Sequence, residues 1–141
     1  MADADAVEDA APEQDDAAEL EEAAAEPVVE TEFGVPGTTS RGNNGGQKVL
    51  HPSADGLLEL AGMLADAGWE FSGLYGVDYL THPGRTDLPA TVPAERFEVV
   101  ITLINRTERS RLRLRVQVPA DEPEVNSLSE IWPGTEASER E

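Results

Sequence analysis

The 141-residue sequence contains no cysteine, which removes disulfides, thiol nucleophiles and thiolate-held iron-sulfur clusters together. That absence fits a reducing compartment. Basic residues are missing from the first 32 positions, where thirteen Asp or Glu supply most of the formal net charge of −19. A segment that is acidic where an export signal is basic and apolar is not a secretory leader. Long hydrophobic runs are lacking too. The longest fully apolar stretch lies around Val99, Val100 and Ile101, far short of a bilayer span, so the chain reads as soluble by itself. The acidic balance argues against nucleic acid and anionic lipid as partners, because binding either depends on neutralising negative charge.

What is present divides into three parts. Residues 1–32 have few large apolar groups and strong self-repulsion, so burial cannot offset the entropy of ordering them; an acidic disordered tail is expected. Residues 33–48, "FGVPGTTSRGNNGGQK", have the Gly, Asn, Ser and Thr content of a flexible linker. The glycines leading to Lys48 do not form a phosphate loop, since Gln47 separates Gly46 from Lys48 and Val49 follows where Ser or Thr is needed. Folded structure is expected over 49–141.

Within that domain, "HPSADGLLELAGMLADAGW" predicts a helix, with Ser53 as N-cap and Gly68 at its end. Leu57, Leu60, Ala61 and Leu64 recur at helical spacing and make one apolar face, which needs a sheet to cover. "WEFSGLYGVDYL" predicts a strand with Phe71, Tyr75, Val77 and Tyr79 on one parity, and Gly73 or Gly76 marking a bulge or a close approach. The proline-rich stretch after it is a loop. "RFEVVITLI" reads as a strand buried on both faces. "RLRLRVQVP" alternates strictly, Leu112, Leu114, Val116 and Val118 against Arg111, Arg113, Arg115 and Gln117, and should pair with the preceding strand as an antiparallel hairpin. "SLSEIW" predicts a short helix in which Ser127 and Glu130 form a capping box. The fold class is therefore α+β in two layers, an N-terminal helix packed on a small mixed or antiparallel sheet.

Chemistry is sparse. The Arg111, Arg113, Arg115 ladder suits a phosphate or an acidic partner. A solvated or interfacial sheet face, balanced by cross-strand acids such as Glu98, is the plainer reading, because any half-exposed strand needs such alternation. His51 and His82, the only histidines, each adjoin a proline and lack the converging partners of a metal or catalytic site; they read as surface groups. Asp78 is expected at an exposed strand end or held by backbone N–H groups. No catalytic, cofactor-binding or metal-binding residue is assigned. The residues by themselves point to a binding or scaffolding domain.

One long stretch carries a resemblance. "GVDY", then "RFEVVITLINRTERSRLRLRVQVPADEPEVNSLSEIWPG", then "ERE" resembles the C subunit, the 30 kDa type, of proton-pumping NADH-quinone oxidoreductase, respiratory complex I. The similarity spans Trp69 to Glu141, and residues 1–48 share nothing with it. It implies a non-catalytic subunit of the peripheral arm, on the cytoplasmic side of a bacterial inner membrane and attached to it only through the complex. Its implied partners are the quinone-site (D) subunit and the adjacent iron-sulfur subunits. The complex as a whole moves electrons from NADH through FMN and iron-sulfur clusters to quinone, as a translocase, whereas this chain would bind none of these cofactors. The implied partner surface comprises Arg111, Arg113, Arg115, Ile131, Trp132, Glu139, Arg140 and Glu141, with Trp132 exposed until a partner covers it.

Two departures stand out. Ala137 occupies a position that is usually aromatic in the family, and the family pattern continues past Glu-Arg-Glu with an aromatic-rich segment, so the domain is expected to be incomplete at its C-terminus. The alternatives are the homologous subunit of a membrane-bound hydrogenase or coenzyme F420-type dehydrogenase, and a free-standing protein-interaction domain tethered by the acidic arm.

Overall fold

A computed structural model describes residues 30–40, 46–82, 85 and 87–141; of the disordered tail expected over 1–32, residues 1–29 lie outside them and residues 30–32 are a strand. Six strands form one sheet: β1 (Glu30–Glu32), β2 (Val35–Ser40), β3 (Gln47–Leu50), β4 (Glu70–Asp78), β5 (Phe97–Asn105) and β6 (Ser110–Val118). Among the described residues two helices accompany it, α1 (Leu57–Asp66) and the short α2 (Thr135–Glu139). The spatial order is β1-β2-β3-β6-β5-β4. Every neighbouring pair is antiparallel except β3 and β6, which run parallel with Val49 beside Arg113.

The linker reading of residues 33–48 and the domain boundary at 49 are corrected by this sheet. Glu30–Glu32 and Val35–Ser40 form a hairpin closed by Phe33 and Gly34, whose φ angles are 55° and 79°. Two consecutive positive φ values match the right-handed twist of the flanking strands. Val49 and Leu50 of β3 are buried, so this segment contributes to the core that the rest of the chain builds.

Helix α1 lies over one sheet face. Leu57, Leu60, Ala61 and Leu64 are buried against Leu50, Ile101, Leu103, Leu112 and Leu114, the apolar face that the spacing predicts. Ser53 caps a turn ahead of the helix, its Oγ accepting from Gly56 N–H at 3.1 Å, and the helix itself begins one turn later than expected, after Gly56 and without a side-chain cap. The C-terminus ends as predicted. Gly68 has φ +94°, its N–H donates to Ala65 O, and Trp69 N–H donates to Leu64 O, a left-handed cap that satisfies otherwise orphaned carbonyls.

Strand β4 departs from a single parity. Its register shifts between Phe71 and Gly73, so Phe71 packs against the core while Tyr75 is 47% exposed; Gly73 is the residue at the bulge. The β5–β6 hairpin forms as expected, with Asn105 opposite Ser110. "SLSEIW" is a turn rather than a helix, with Ile131 and Trp132 N–H both donating to Leu128 O.

Candidate protein-docking site

The sheet face away from α1 carries Glu98, Val100, Thr102 and Ile104 on β5 beside Gln117, Arg115, Arg113 and Arg111 on β6. The loop between β4 and β5 covers one end of it. There Glu98, 2% exposed, accepts from Arg115 Nε at 2.8 Å, Arg115 Nη2 at 2.9 Å, Arg85 Nη1 at 2.8 Å and Gln117 Nε2 at 2.6 Å. The loop supplies Asp87, paired with Arg115 Nη1 at 2.8 Å, and Arg85, which stacks on the Tyr79 ring. Burial lowers the Arg115 pKa, but the bonds from Glu98 and Asp87 outweigh it and hold the pKa above its ordinary value. Arg115 is thereby removed from the predicted partner surface; it is a buried, doubly paired cation.

His51 joins this cluster and is not the surface group expected. It is 3% exposed, its Nε2 lies 2.9 Å from Thr38 Oγ1, and its Nδ1 has no partner. Burial, with Arg115 nearby, lowers its pKa to about 4 against the weaker opposing pull of Glu98 and Asp87. His82 is exposed. Asp78 combines both expectations: at the end of β4, it accepts from Arg96 at 3.1 and 3.0 Å and from Leu80 N–H at 3.0 Å.

Arg111 and Arg113 lie at the uncovered end of the same face. Arg111 is exposed, Arg113 is half-buried, and Arg113 Nε is buried without an acceptor. An unpartnered buried N–H costs about 1–3 kcal/mol, and more on a charged group. These two arginines remain candidates for an acidic partner.

Of the C-terminal residues of the predicted surface, Ile131 and Trp132 are drawn inward while Glu139, Arg140 and Glu141 are exposed. Trp132 is 7% exposed and its Nε1 donates to Trp69 O at 3.1 Å, so the expectation of an exposed indole is corrected: β4 and the α1 C-terminus cover it. Ile131 packs half-buried beside it. Glu139 accepts from Leu128 N–H at 2.8 Å and Ser127 Oγ at 2.6 Å, the reciprocal role expected of Glu130. Its slight burial raises its pKa, and those two bonds bring it below the usual carboxylate value. Arg140 makes a surface pair with Glu136, and Glu141 is exposed.

What the sequence did not mark is an apolar groove. Two adjoining hollows, about 430 and 380 Å³, share Gly76, Val99 and Val125. Leu57, Leu74, Ile101 and Leu128 line the second, with Glu139 and Glu141 at its rim. The groove exists because α1 leaves the β4 side of the sheet uncovered and Gly76 contributes no side chain; a Cβ there would meet nothing within 4 Å. A glycine inside a strand was the available signal, and it marks open space here rather than a bulge. Apolar surface edged by polar groups is the kind that a protein segment covers. Among the described residues no group of three or more His, Asp or Glu side chains could hold a metal.

Comparison with known proteins decides the family. The model for "Respiratory-chain NADH dehydrogenase, 30 Kd subunit" matches residues 50–141. The chain belongs to this family. The C subunit of NADH-quinone oxidoreductase from Bordetella petrii is 39% identical over 106 residues, covering 68% of this chain and 51% of that protein. Its counterpart from a Roseiflexus species is 47% identical over 68 residues, 48% of this chain and 33% of its own. This complex I family member therefore spans about half the length of the Bordetella relative. Its fold resembles a solved structure described as "Nqo5 of the trypsin-resistant fragment (1-134) in P63 form", with a TM-score of 0.62 and 26% identity over 86% of this chain and 83% of that one. That coverage exceeds residues 50–141, so the likeness reaches into the β1–β3 segment. Among the described residues no helix is long and apolar enough to cross a membrane.

Proposed function

We propose that this chain is a non-catalytic structural subunit of the peripheral arm of proton-pumping NADH-quinone oxidoreductase. It docks on the quinone-site subunit and neighbouring iron-sulfur subunits, on the cytoplasmic side of the inner membrane, and holds them in the geometry that electron transfer from NADH to quinone needs. Flavin, clusters and quinone sit on other chains; its membrane association is indirect. The observation that carries this reading is the family match over 50–141, which runs from the end of β3 to Glu141. The groove floored by Gly76 and Val99 supplies the physical means, since burying apolar surface there contributes roughly 25 cal/mol per Å².

The test is coexpression with the quinone-site subunit of the same organism, with capture read by mass spectrometry. Gly76→Trp fills the groove without displacing backbone, because the position opens into space. The reading requires capture by the native chain and at least about tenfold weaker capture by the Gly76→Trp chain at unchanged thermal midpoint, a difference of about 1.4 kcal/mol. No capture by the native chain sinks the assignment to complex I docking, and equal capture by both sinks the groove as its site.

A further inference from the structure

The two edges of the sheet are unequal. One is β1, three residues long; the other is β4, nine residues long and free of Lys and Pro. Short strands, lysine and proline are the usual protections of a sheet edge, and the bulge of β4 lies at its far end, between Phe71 and Gly73. Pairing with β5 fixes which main-chain groups are spare. Tyr79 N–H donates to Arg96 O at 2.8 Å, in register with Val77 opposite Glu98 and Tyr75 opposite Val100. Antiparallel pairing alternates, so the N–H and C=O groups of Leu74, Gly76 and Asp78 point away from β5. Among the described residues no main-chain group bonds to them, and Gly76 and Asp78 are exposed.

The space beside these groups is open, since a Cβ on Gly76 meets nothing within 4 Å. Residues directly opposite across a strand pair share a sheet face. A residue paired with Gly76 therefore projects over the hollow of about 430 Å³ lined by Val99, Val118 and Val125. An aromatic side chain is suited to that place, because it covers what a strand glycine leaves bare. Charge selects the flanks. The charged residues lining the two hollows are Asp78, Glu98, Glu139 and Glu141, with no Lys or Arg. Arg96 matches Asp78, and Arg85 and Arg115 match Glu98. Glu139 is held by uncharged donors, Ser127 and Leu128, and Glu141 has no ion pair among the described residues.

We propose that an extended segment of the partner adds to the sheet as a strand beyond β4. It bonds to the main chain of Leu74, Gly76 and Asp78, lays an aromatic side chain over Gly76, and sets Lys or Arg beside Glu139 and Glu141. This mode rests on docking to the quinone-site subunit and gives that docking its chemistry: main-chain bonds supply affinity, and alternate side chains supply selectivity. A second copy of the chain fits worse. Antiparallel pairing about Gly76 sets glycine against glycine, leaves the hollow unfilled and brings two acidic rims together.

Amide hydrogen exchange separates strand addition from other contacts, measured on the full chain alone and in complex with the coexpressed quinone-site subunit. In the free chain the Tyr75 and Val77 amides are protected by β5, whereas those of Leu74, Gly76 and Asp78 exchange fast. In the complex these three slow by about tenfold or more, and the alternation disappears. A complex in which they exchange as in the free chain overturns strand addition and leaves the docking standing; absence of any complex overturns both. Concentration-dependent protection of the same amides in the chain alone overturns the proposal in favour of a second copy. Gly76→Pro removes one outward donor that β5 does not use, so its capture falls about tenfold below that of Gly76→Ala, which keeps the donor. Equal capture by the two overturns the main-chain pairing; if the proline chain fails to fold, exchange in the native complex decides. Glu141→Lys weakens capture at about 0.02 M salt and not near about 1 M, where the screening length is about 3 Å. Capture indifferent to that replacement at low salt overturns the basic flank.

Discussion

Glu98 and Arg115 meet across the β5–β6 pair in two parallel hydrogen bonds, Oε1 from Nε at 2.8 Å and Oε2 from Nη2 at 2.9 Å. They are diagonal rather than directly opposite, since Glu98 faces Gln117 and Val100 faces Arg115. The same carboxylate holds Arg85 of the covering loop, so it ties the sheet to the loop.

Glu98→Gln leaves the buried Arg85 guanidinium without its counter-charge and Arg115 with Asp87 alone. Breaking a buried pair from one side costs about 3–5 kcal/mol, because the remaining charge stays desolvated. Urea unfolding should show that loss, and amide exchange should show faster opening in the 79–96 loop than in α1. Wild-type stability for Glu98→Gln would mean that the charges are wetter than their burial implies.

His51 gives the chain a pH dependence of known sign. Its pKa is about 4 when folded against an ordinary 6.5, so the unfolded chain binds the additional proton between these values. Its contribution is full above the unfolded value and is lost as pH falls from there through the folded one. Linkage makes the loss about 2 kcal/mol between roughly pH 7 and pH 5. The checking measurement is urea unfolding at both pH values for native protein and His51→Gln; the native chain should lose more, by about that amount, and identical slopes would rule out a buried neutral imidazole.

Two glycine replacements should move stability in opposite directions. Gly68 has φ +94°, and a Cβ there meets only Asn105 Nδ2, at 3.7 Å; Gly68→Ala incurs left-handed strain alone, about 1–2 kcal/mol. Gly62 lies inside α1 with open space around it, so Gly62→Ala should stabilise by about 0.5–1 kcal/mol. Thermal unfolding of the two variants reads both signs against the native chain.

The sequence made the central elements legible and left their partners obscure. Alternation in Arg111–Val118 and helical spacing in Leu57–Leu64 were readable because side-chain direction follows from local backbone geometry. Strands β2 and β3 were not. "VPGTTS" contains Pro and Gly, "QKVL" is four residues long, and their pairing depends on β6, more than sixty residues away along the chain. Pro36 lacks the N–H of a ladder residue, and only its carbonyl takes part, accepting from His51 N–H at 2.8 Å. The three alternating arginines looked equivalent in sequence, yet only Arg115 falls under the loop that carries Asp87. Glu130 stands at capping-box spacing from Ser127, but the folded chain brings Glu139 there instead. The groove was signalled only by Gly76 standing inside a strand, which does not locate it, since the groove is defined by what α1 does not cover.

Trp132 separates the core from the docking surface by experiment. Its indole is buried among core residues and donates to Trp69 O, sixty-three positions away, so it anchors the C-terminal segment to the α1–β4 junction. Trp132→Ala should cost about 3–5 kcal/mol through the cavity. Trp132→Phe keeps most of the ring volume but leaves that carbonyl without its indole donor, for about 1–3 kcal/mol. If the residue belonged to the partner surface, Trp132→Phe would weaken capture while sparing the free chain. The structure requires the reverse order: the thermal midpoint falls first, and capture measured well below that midpoint stays close to native.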